Sequence, residues 1–450
     1  MGFVLVTMGL GVTLYGKRTA LVAGVLASTA LQPVVYSRAA VPDMLLSFFV
    51  AVSLYGFVRA FLGPGAPKQR RRWLYLMYAG SALAFLAKGP LGVILPGITV
   101  LAYLVLSGNT RKILSLSPVS GFLLFLLLAA PWYIYMTTLH GGAFLEEHFL
   151  QRNLQRYFTD KWQHPGPVYY FLPVVFAGSF PWSLCLCAGL VKLFRSAAWG
   201  SKNEKNFRHS GLFLLCWFIG MLLFFSFSSS KLPNYVLPLY PAAILLAARC
   251  LDELMERSSP SRLLALSWGT SLITLALLAT GVSILSRKLH EPPGTILLWL
   301  SPLGVIVVGA VVFHFKRSLK LWLVICSAGM CLLLAVVTGF AIPRIESLQA
   351  VRTLSSENLD RLTPGEPLVS FRVWAPSLLF YSKTRVIRFN PDTDSWEKVA
   401  ATGARWVLTR DSELELLRRI SGAGFDVIHR MGGKVLVLLG EKVGGPTNNY

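Results

Sequence analysis

Pro131 to Trp182 reads PWYIYMTTLHGGAFLEEHFLQRNLQRYFTDKWQHPGPVYYFLPVVFAGSFPW, a polar and aromatic stretch with apolar runs on both sides. It holds three of the seven histidines (His140, His148 and His164), the acids Glu146, Glu147 and Asp160, and the cations Arg152 and Arg156. A plain loop between two membrane spans would be shorter and less aromatic. From Gly142 to Phe158 the pattern predicts one helix. At about 100° per residue His148, Arg152, Gln155 and Arg156 share a face, with Leu150, Leu154, Tyr157 and Phe158 opposite. Such a helix suits the membrane interface, apolar side in lipid and polar side toward water or a head group. An ordinary surface connector is the alternative.

The chain around it is 54% hydrophobic and 14% charged, far from the roughly 25% charged of soluble domains. Apolar runs fall near 1–15 (partial), 20–37, 43–61, 74–87, 91–106, 113–137, 169–193, 211–228, 234–250, 263–285, 295–315 and 321–343. This predicts a polytopic α-helical membrane protein of about twelve visible spans. The formal charge is +22, but residues 345–450 carry 14 Lys/Arg against 12 Asp/Glu, and the first 344 carry 29 against 9. Basic residues confined to short loops are a topology signal, and no nucleic-acid partner is implied. Lys17-Arg18, the 68–72 cluster, Arg111-Lys112, the 192–208 and 249–262 segments and Lys316-Arg317 all fall on one side, the cytoplasmic one. The loops at 38–42, 88–90, 138–168, 229–233 and 286–294 then face out, together with everything after 344. The six cysteines sit in or beside apolar segments without metal-type spacing and read as small buried hydrophobes.

The domain division expected is 1–344 for the membrane part, with its large outer loop at 138–168, and 345–450 for a small α/β domain outside the membrane. In the latter, β-rich runs at Pro367–Val373, Arg385–Phe389, Arg405–Thr409, Phe425–His429 and Lys434–Leu439 alternate with helical stretches at Trp396–Ala401 and Glu413–Ile420. It has no phosphate loop, metal cluster or nucleophile elbow.

Three residues stand out in the first part. Asp43 is the only acid in the first 145 residues and opens a span on the outer side, five residues after Arg38. It either caps that helix or faces a cleft, and the two roles are compatible. Lys88 in FLAKGPLG and Lys231 in FSFSSSKLPNYVLPLYP lie on the outer side against the topological bias, each at a helix break, with Tyr235 close behind Lys231. Either lysine alone could simply snorkel from a helix end. Together with Arg152 and Arg156 they gather cations where a phosphate-bearing lipid would lie. A divalent metal is compatible with His148, His164 and the nearby acids, but no ligand spacing compels one.

In order along the chain stand Arg38 to Asp43, Ala87-Lys88-Gly89, Pro131-Trp132, His148, Asn153, Arg156, His164, Pro167, Tyr169-Tyr170, Pro173, Gly178, Pro181-Trp182 and the Phe227–Pro238 block. This ordered set resembles the lipid-phosphate-sugar-dependent glycosyltransferases of the GT-C superfamily. The bacterial branch that contains the aminoarabinose transferase of lipid A is nearest, and the protein O-mannosyltransferases are more distant. The resemblance covers essentially the whole chain. It implies an inner-membrane, multi-pass transferase with a periplasmic C-terminal domain. The enzyme would take a polyprenyl-phosphate-linked sugar as donor and a glycolipid or protein as acceptor.

It further implies that Asp43 is a catalytic acidic site. Lys88, Lys231, Arg152, Arg156 and Arg38 would surround the donor phosphate. Glu146, Glu147, His148, Asn153, His164, Tyr169, Tyr170 and Tyr235 would line the substrate side, while Trp182 reads better as part of an interfacial aromatic belt. The family's first outer loop, with an essential acid, is expected upstream of Met1. A transporter or flippase for a lipid-linked sugar, or a truncated inactive homologue, are the rival readings.

Overall fold

The computed structural model describes residues 1–39, 41–63, 67–159, 166–198, 205–256, 260–289, 292–316, 318–342, 366–373, 376–382, 384–431 and 433–440. The chain forms two compact units, Met1–Ile284 with Leu300–Leu332, and Leu285–Trp299 with Leu333–Tyr450. Its apolar runs wind into helices because only a helix satisfies every backbone polar group within one segment away from water. They are α1 Gly2–Tyr15, α2 Lys17–Thr29, α3 Leu31–Arg38, α4 Asp43–Phe61, α5 Pro67–Lys88, α6 Leu91–Leu106 and α7 Pro118–His140. After the polar connector come α10 Phe171–Gly178, α11 Ser183–Ala198, α12 Lys205–Ser226, α13 Tyr240–Glu256, α14 Pro260–Leu289, α15 Pro293–Leu300, α16 Leu303–Lys316 and α17 Leu319–Val336. The connector itself holds α8 Gly142–Leu145 and α9 Arg156–Phe158.

Among the described residues six helices are long and apolar enough to cross a membrane, or nine if each of three bent pairs is one span. All three bends interrupt runs that the sequence reads as single spans, the one at 295–315 turning by 51° between α15 and α16. The run at 20–37 turns by 56° between α2 and α3, and the run at 169–193 turns by 119° between α10 and α11. Proline clashes with the carbonyl four residues before it and cannot continue a helix; Pro33 stands in the first turn of α3 and Pro181 in the turn before α11. The pair α4 and α5 is joined by a buried Ser53–Ser81 hydroxyl hydrogen bond of 2.9 Å and by Arg59 stacked 4.4 Å over the Trp73 ring.

Gly142–Phe158 is helical as expected but is not one α-helix. Its middle, Glu146–Gln155, is a π-helix. Bonds from i to i+5 widen the turn, so the 100° arithmetic that divided the stretch into two faces does not hold through it. Trp182 also departs from expectation. It is buried, donates from Nε1 to Thr29 Oγ1 at 3.0 Å and meets Trp322 edge-on at 5.9 Å. It is a core residue because its indole N–H finds a partner inside the helical unit.

In the second unit five strands form one sheet of order β2-β1-β3-β5-β4: β1 Leu368–Phe371, β2 Val386–Phe389, β3 Trp406–Arg410, β4 Phe425–Met431 and β5 Lys434–Leu439. β1 runs parallel to β2 and β3, while β5 runs antiparallel to β3 and β4. The helix Pro376–Ser382 (α18) sets Leu378 among Leu368, Trp406 and Leu408. The helices Trp396–Ala400 (α19) and Leu414–Ser421 (α20) set Val399 and Leu417 among Phe371, Val407 and Val437. Both faces are therefore covered, as right-handed crossovers leaving β1 and β2 in opposite directions require.

Candidate functional site

Asp43 is the first residue of α4 and is 3% exposed, yet its side chain caps nothing. Its carboxylate instead forms an ion pair with Lys88, the last residue of α5. Gly89, at φ 65°, and Pro90 end α5 at this point. A positive φ suits glycine, and proline cannot continue the helix, so the ammonium group is delivered at the helix end. The side chain of Lys88 stays 22% exposed, so the pair is buried on the acid's side and reachable on the lysine's. Lys88 Nζ also stands 5.2 Å from the centre of the Tyr235 ring, a cation–π distance. Tyr36 on α3 lies within electrostatic reach of both Asp43 and Tyr170.

Lys231 belongs to the same end of this unit. It is 7% exposed, and its ammonium donates to the carbonyls of Ser226 at 3.1 Å and Ser228 at 2.5 Å. The serine run before it folds back on itself, Ser228 Oγ donating to Ser230 O at 3.0 Å. Gly166 lies so close that a Cβ there would sit 3.1 Å from Lys231 Cδ and 3.5 Å from Tyr170. Tyr235 follows on the 3-10 turn Pro233–Leu239 and packs on Phe225 at 5.8 Å. Thus Asp43, Lys88, Tyr235, Lys231 and Tyr170, separated by up to 192 positions in sequence, converge.

The polar connector is tied to this cluster through Tyr157. Its hydroxyl donates to Phe224 O at 2.8 Å, and its carbonyl accepts from Ser229 N at 2.8 Å. His148, half-buried, stands 3.2 Å from the Tyr133 hydroxyl, which reaches Phe85 O at 3.3 Å. Phe144 and Phe149 complete an aromatic group around that histidine, one turn of α5 from Lys88. Glu146, Glu147 and Tyr169 are exposed. Arg38 is exposed at the end of α3, and the ion pair of Asp43 is with Lys88. Arg152, Asn153 and Arg156 fall on the connector helix, but their side chains lie outside the described residues, as do His164 and Asp160 altogether. No group of three or more His, Cys, Asp or Glu that could hold a metal occurs among the described residues.

Several polar groups escape a reading of the sequence. Gln32, Tyr240 and Tyr133 were legible only as single polar residues in apolar runs. A second ionic cluster lies at the opposite end of α2. Arg18 pairs with Asp252 at 2.8 Å and Glu256 at 3.4 Å, Thr19 donates to Asp252 at 2.5 Å, Arg249 pairs with Glu253 at 2.7 Å, and Lys192 pairs with Glu253. The adjacent acids Asp252 and Glu253, both buried on α13, were the available signal.

The sequence model of the dolichyl-phosphate-mannose-protein mannosyltransferase family matches residues 4–135. The undecaprenyl phosphate-alpha-4-amino-4-deoxy-L-arabinose arabinosyl transferase of Pectobacterium carotovorum subsp. carotovorum (strain PC1) is 31% identical over 341 residues, covering 73% of this chain and 57% of the relative. A transferase of the same name, numbered 2, from Pseudomonas fluorescens (strain Pf0-1) is 25% identical, covering 89% of this chain and 75% of its own. The crystal structure of ArnT from Cupriavidus metallidurans bound to undecaprenyl phosphate shares the fold at a TM-score of 0.80 and 22% identity, covering 99% of this chain and 83% of that one. The resemblance read from the ordered motifs therefore stands: this chain resembles the GT-C lipid-phosphate-sugar-dependent glycosyltransferases, with aminoarabinose transferases among its relatives in sequence and ArnT as a counterpart in fold.

Proposed function

We propose that this protein is an integral membrane glycosyltransferase that moves a sugar from a polyprenyl-phosphate donor to a lipid A-like glycolipid or a protein acceptor. The work would be done at the outer face of a bacterial inner membrane. The observation that carries this reading is the Asp43–Lys88 ion pair, with Tyr235 and Lys231 beside it at one end of the helical unit. The twelve-span topology, with 1–344 as the membrane part and 345–450 outside, belongs to the same proposal. It places Asp43, Lys88 and Lys231 on the side away from the basic loops.

The chemistry follows from the charges. A donor phosphate approaching Lys88 competes with Asp43 for the ammonium, and its arrival leaves the carboxylate free to accept a proton. The bond between sugar C1 and the phosphate oxygen breaks as the acceptor oxygen attacks C1. Lys88 and Lys231, with Arg152, Arg156 and Arg38, stabilise the negative charge left on the polyprenyl phosphate. Asp43 orients the acceptor or takes its proton; an ionised phosphate acceptor needs only the first. Glu146, Glu147, His148, Asn153, His164, Tyr169, Tyr170 and Tyr235 form the substrate side.

The donor's tail would lie between helices. A cavity of about 280 Å³, lined by Ser53, Met77, Tyr78, Ser81, Pro96 and Phe125 among others, opens among α4, α5, α6 and α7. Ser81 is seven residues along α5 from Lys88, roughly 10 Å at a helical rise, so a lipid held by its phosphate at Lys88 would reach it. The test is sugar transfer from a labelled polyprenyl-phosphate donor in membranes containing the protein. Transfer that depends on the protein supports the reading. Donor binding without any transfer favours a carrier for the lipid-linked sugar and overturns it.

A further inference from the structure

Gln32 lies at the second residue of α3, just past the break at Ala30, and is 5% exposed. Its Nε2 donates to Pro233 O at 2.5 Å, and its Oε1 accepts from the Tyr240 hydroxyl at 2.6 Å. The orientation of the amide is set by chemistry, because a carbonyl only accepts and must face the NH₂ end. A third segment closes on the pair. A Cβ at Gly178 would lie 2.1 Å from the Tyr240 hydroxyl and 2.3 Å from Gln32 Oε1, so only glycine fits there. Leu31 N donates to Phe180 O at 2.9 Å, fixing the α3 entrance against the same turn.

Pro233 is the midpoint of the segment that carries two of the groups assigned above to the donor and substrate. Lys231 is two residues before it and Tyr235, whose ring meets Lys88, two residues after. Leu232 is extended and Pro233 begins a 3-10 turn, so this is an irregular stretch without an α-helical ladder of its own to hold it. Buried polar groups in such places are expensive unless partnered, and here the partner comes from another helix.

We propose that Gln32, oriented by Tyr240, is a positioning residue that fixes Pro233 and thereby sets Lys231 and Tyr235 against Lys88 for recognition of the donor phosphate. This rests on the transferase reading above. The Gln32 amide touches none of the reacting atoms, so its loss acts on donor affinity and not on the chemical step.

The experiment compares the wild-type chain, Gln32→Met and Tyr240→Phe in proteoliposomes. It measures binding of undecaprenyl phosphate alone, and donor KM and kcat separately. Gln32→Met keeps the length of the side chain but removes the donor to Pro233. It is expected to raise donor KM and weaken undecaprenyl phosphate binding by about tenfold, with kcat changed by less than about threefold, as for a buried acceptor left unsatisfied. Tyr240→Phe removes the hydroxyl that orients the amide, and should move the same two quantities by about two- to threefold. Rates are normalised to folded protein, so a purely structural role would lower yield and leave KM in place. KM and binding unchanged in both variants, or a fall confined to kcat, overturns the inference. If Gln32→Met does not fold, Tyr240→Phe alone decides between the same outcomes. A wild type that neither binds nor transfers rejects the transferase reading, and this inference with it, and is told apart because no variant is then needed.

Discussion

Asp43 and Lys88 were conspicuous in the sequence for one reason: each is a charge where the surrounding composition and topology disfavour it. In the structure Asp43 pairs across helices with Lys88, and no side-chain cap hydrogen bond forms at the start of α4. Which residue would be its partner was not legible, because Arg38 is five positions away in sequence and Lys88 is forty-five. The pair implies opposite consequences for its two members. Asp43→Asn should keep donor binding, since Lys88 loses a competitor, while transfer falls by about 10²–10⁴ if the acceptor needs a base. Lys88→Met should instead weaken donor binding by about 10- to 100-fold, the scale of a hydrogen bond to a charged group. Titration with undecaprenyl phosphate, beside turnover with the sugar-loaded donor, separates the two. Loss of binding in Asp43→Asn with none in Lys88→Met would invert the assignment of roles.

Helices were more legible than their interruptions. Apolar runs announce α4, α7, α12 and α13 because burial in an apolar surrounding and helical hydrogen bonding demand the same residues. The breaks at Ala30 and at 179–182 were not foreseen, because they are stabilised from a distance: Leu31 N is satisfied by Phe180, and Trp182 by Thr29. The π-helix at Glu146–Gln155 was missed for a related reason, since side-chain periodicity does not report backbone bonding between i and i+5. What anchors that element is Tyr157, bonded at both its hydroxyl and its carbonyl to the end of α12 and the serine run. Tyr157→Phe removes the first bond, at a cost of about 0.5–1.5 kcal/mol. Limited proteolysis should then cut within 142–158 roughly two- to tenfold faster, with donor KM rising in parallel. An unchanged cleavage rate would mean that the connector is held without the Tyr157 hydroxyl, by its carbonyl and by the contacts of His148 and Phe149 with Tyr133.

At the scale of the molecule, the helical unit carries two separate ionic groups, the Asp43–Lys88 pair proposed above as the chemical end and a second cluster at the far end of α2. The cluster of Arg18, Lys192, Arg249, Asp252, Glu253 and Glu256 joins α2, α11 and α13, and it is remote from Asp43 along α2 and α3. Removing one partner of a buried pair leaves the others uncompensated, so Asp252→Ala should cost about 3 kcal/mol, the low end of the usual range because Arg18 is half exposed. Thermal unfolding in detergent should register that loss while the kcat/KM of folded protein stays within about twofold. A large fall in kcat/KM at unchanged stability would tie this end to the chemistry. The strands of the second unit were legible to within a few residues from alternating β-branched runs, whereas their spatial order was not, because pairing partners are set by crossovers and packing. That order bears on biosynthesis. β5 leaves the ribosome after the other four strands, yet it sits between β3 and β4. Until it arrives, β4 has no neighbour and β3 has an open side, so the sheet must be completed after translation of Leu439, and any chaperone that guards it has to hold an unfinished edge until then.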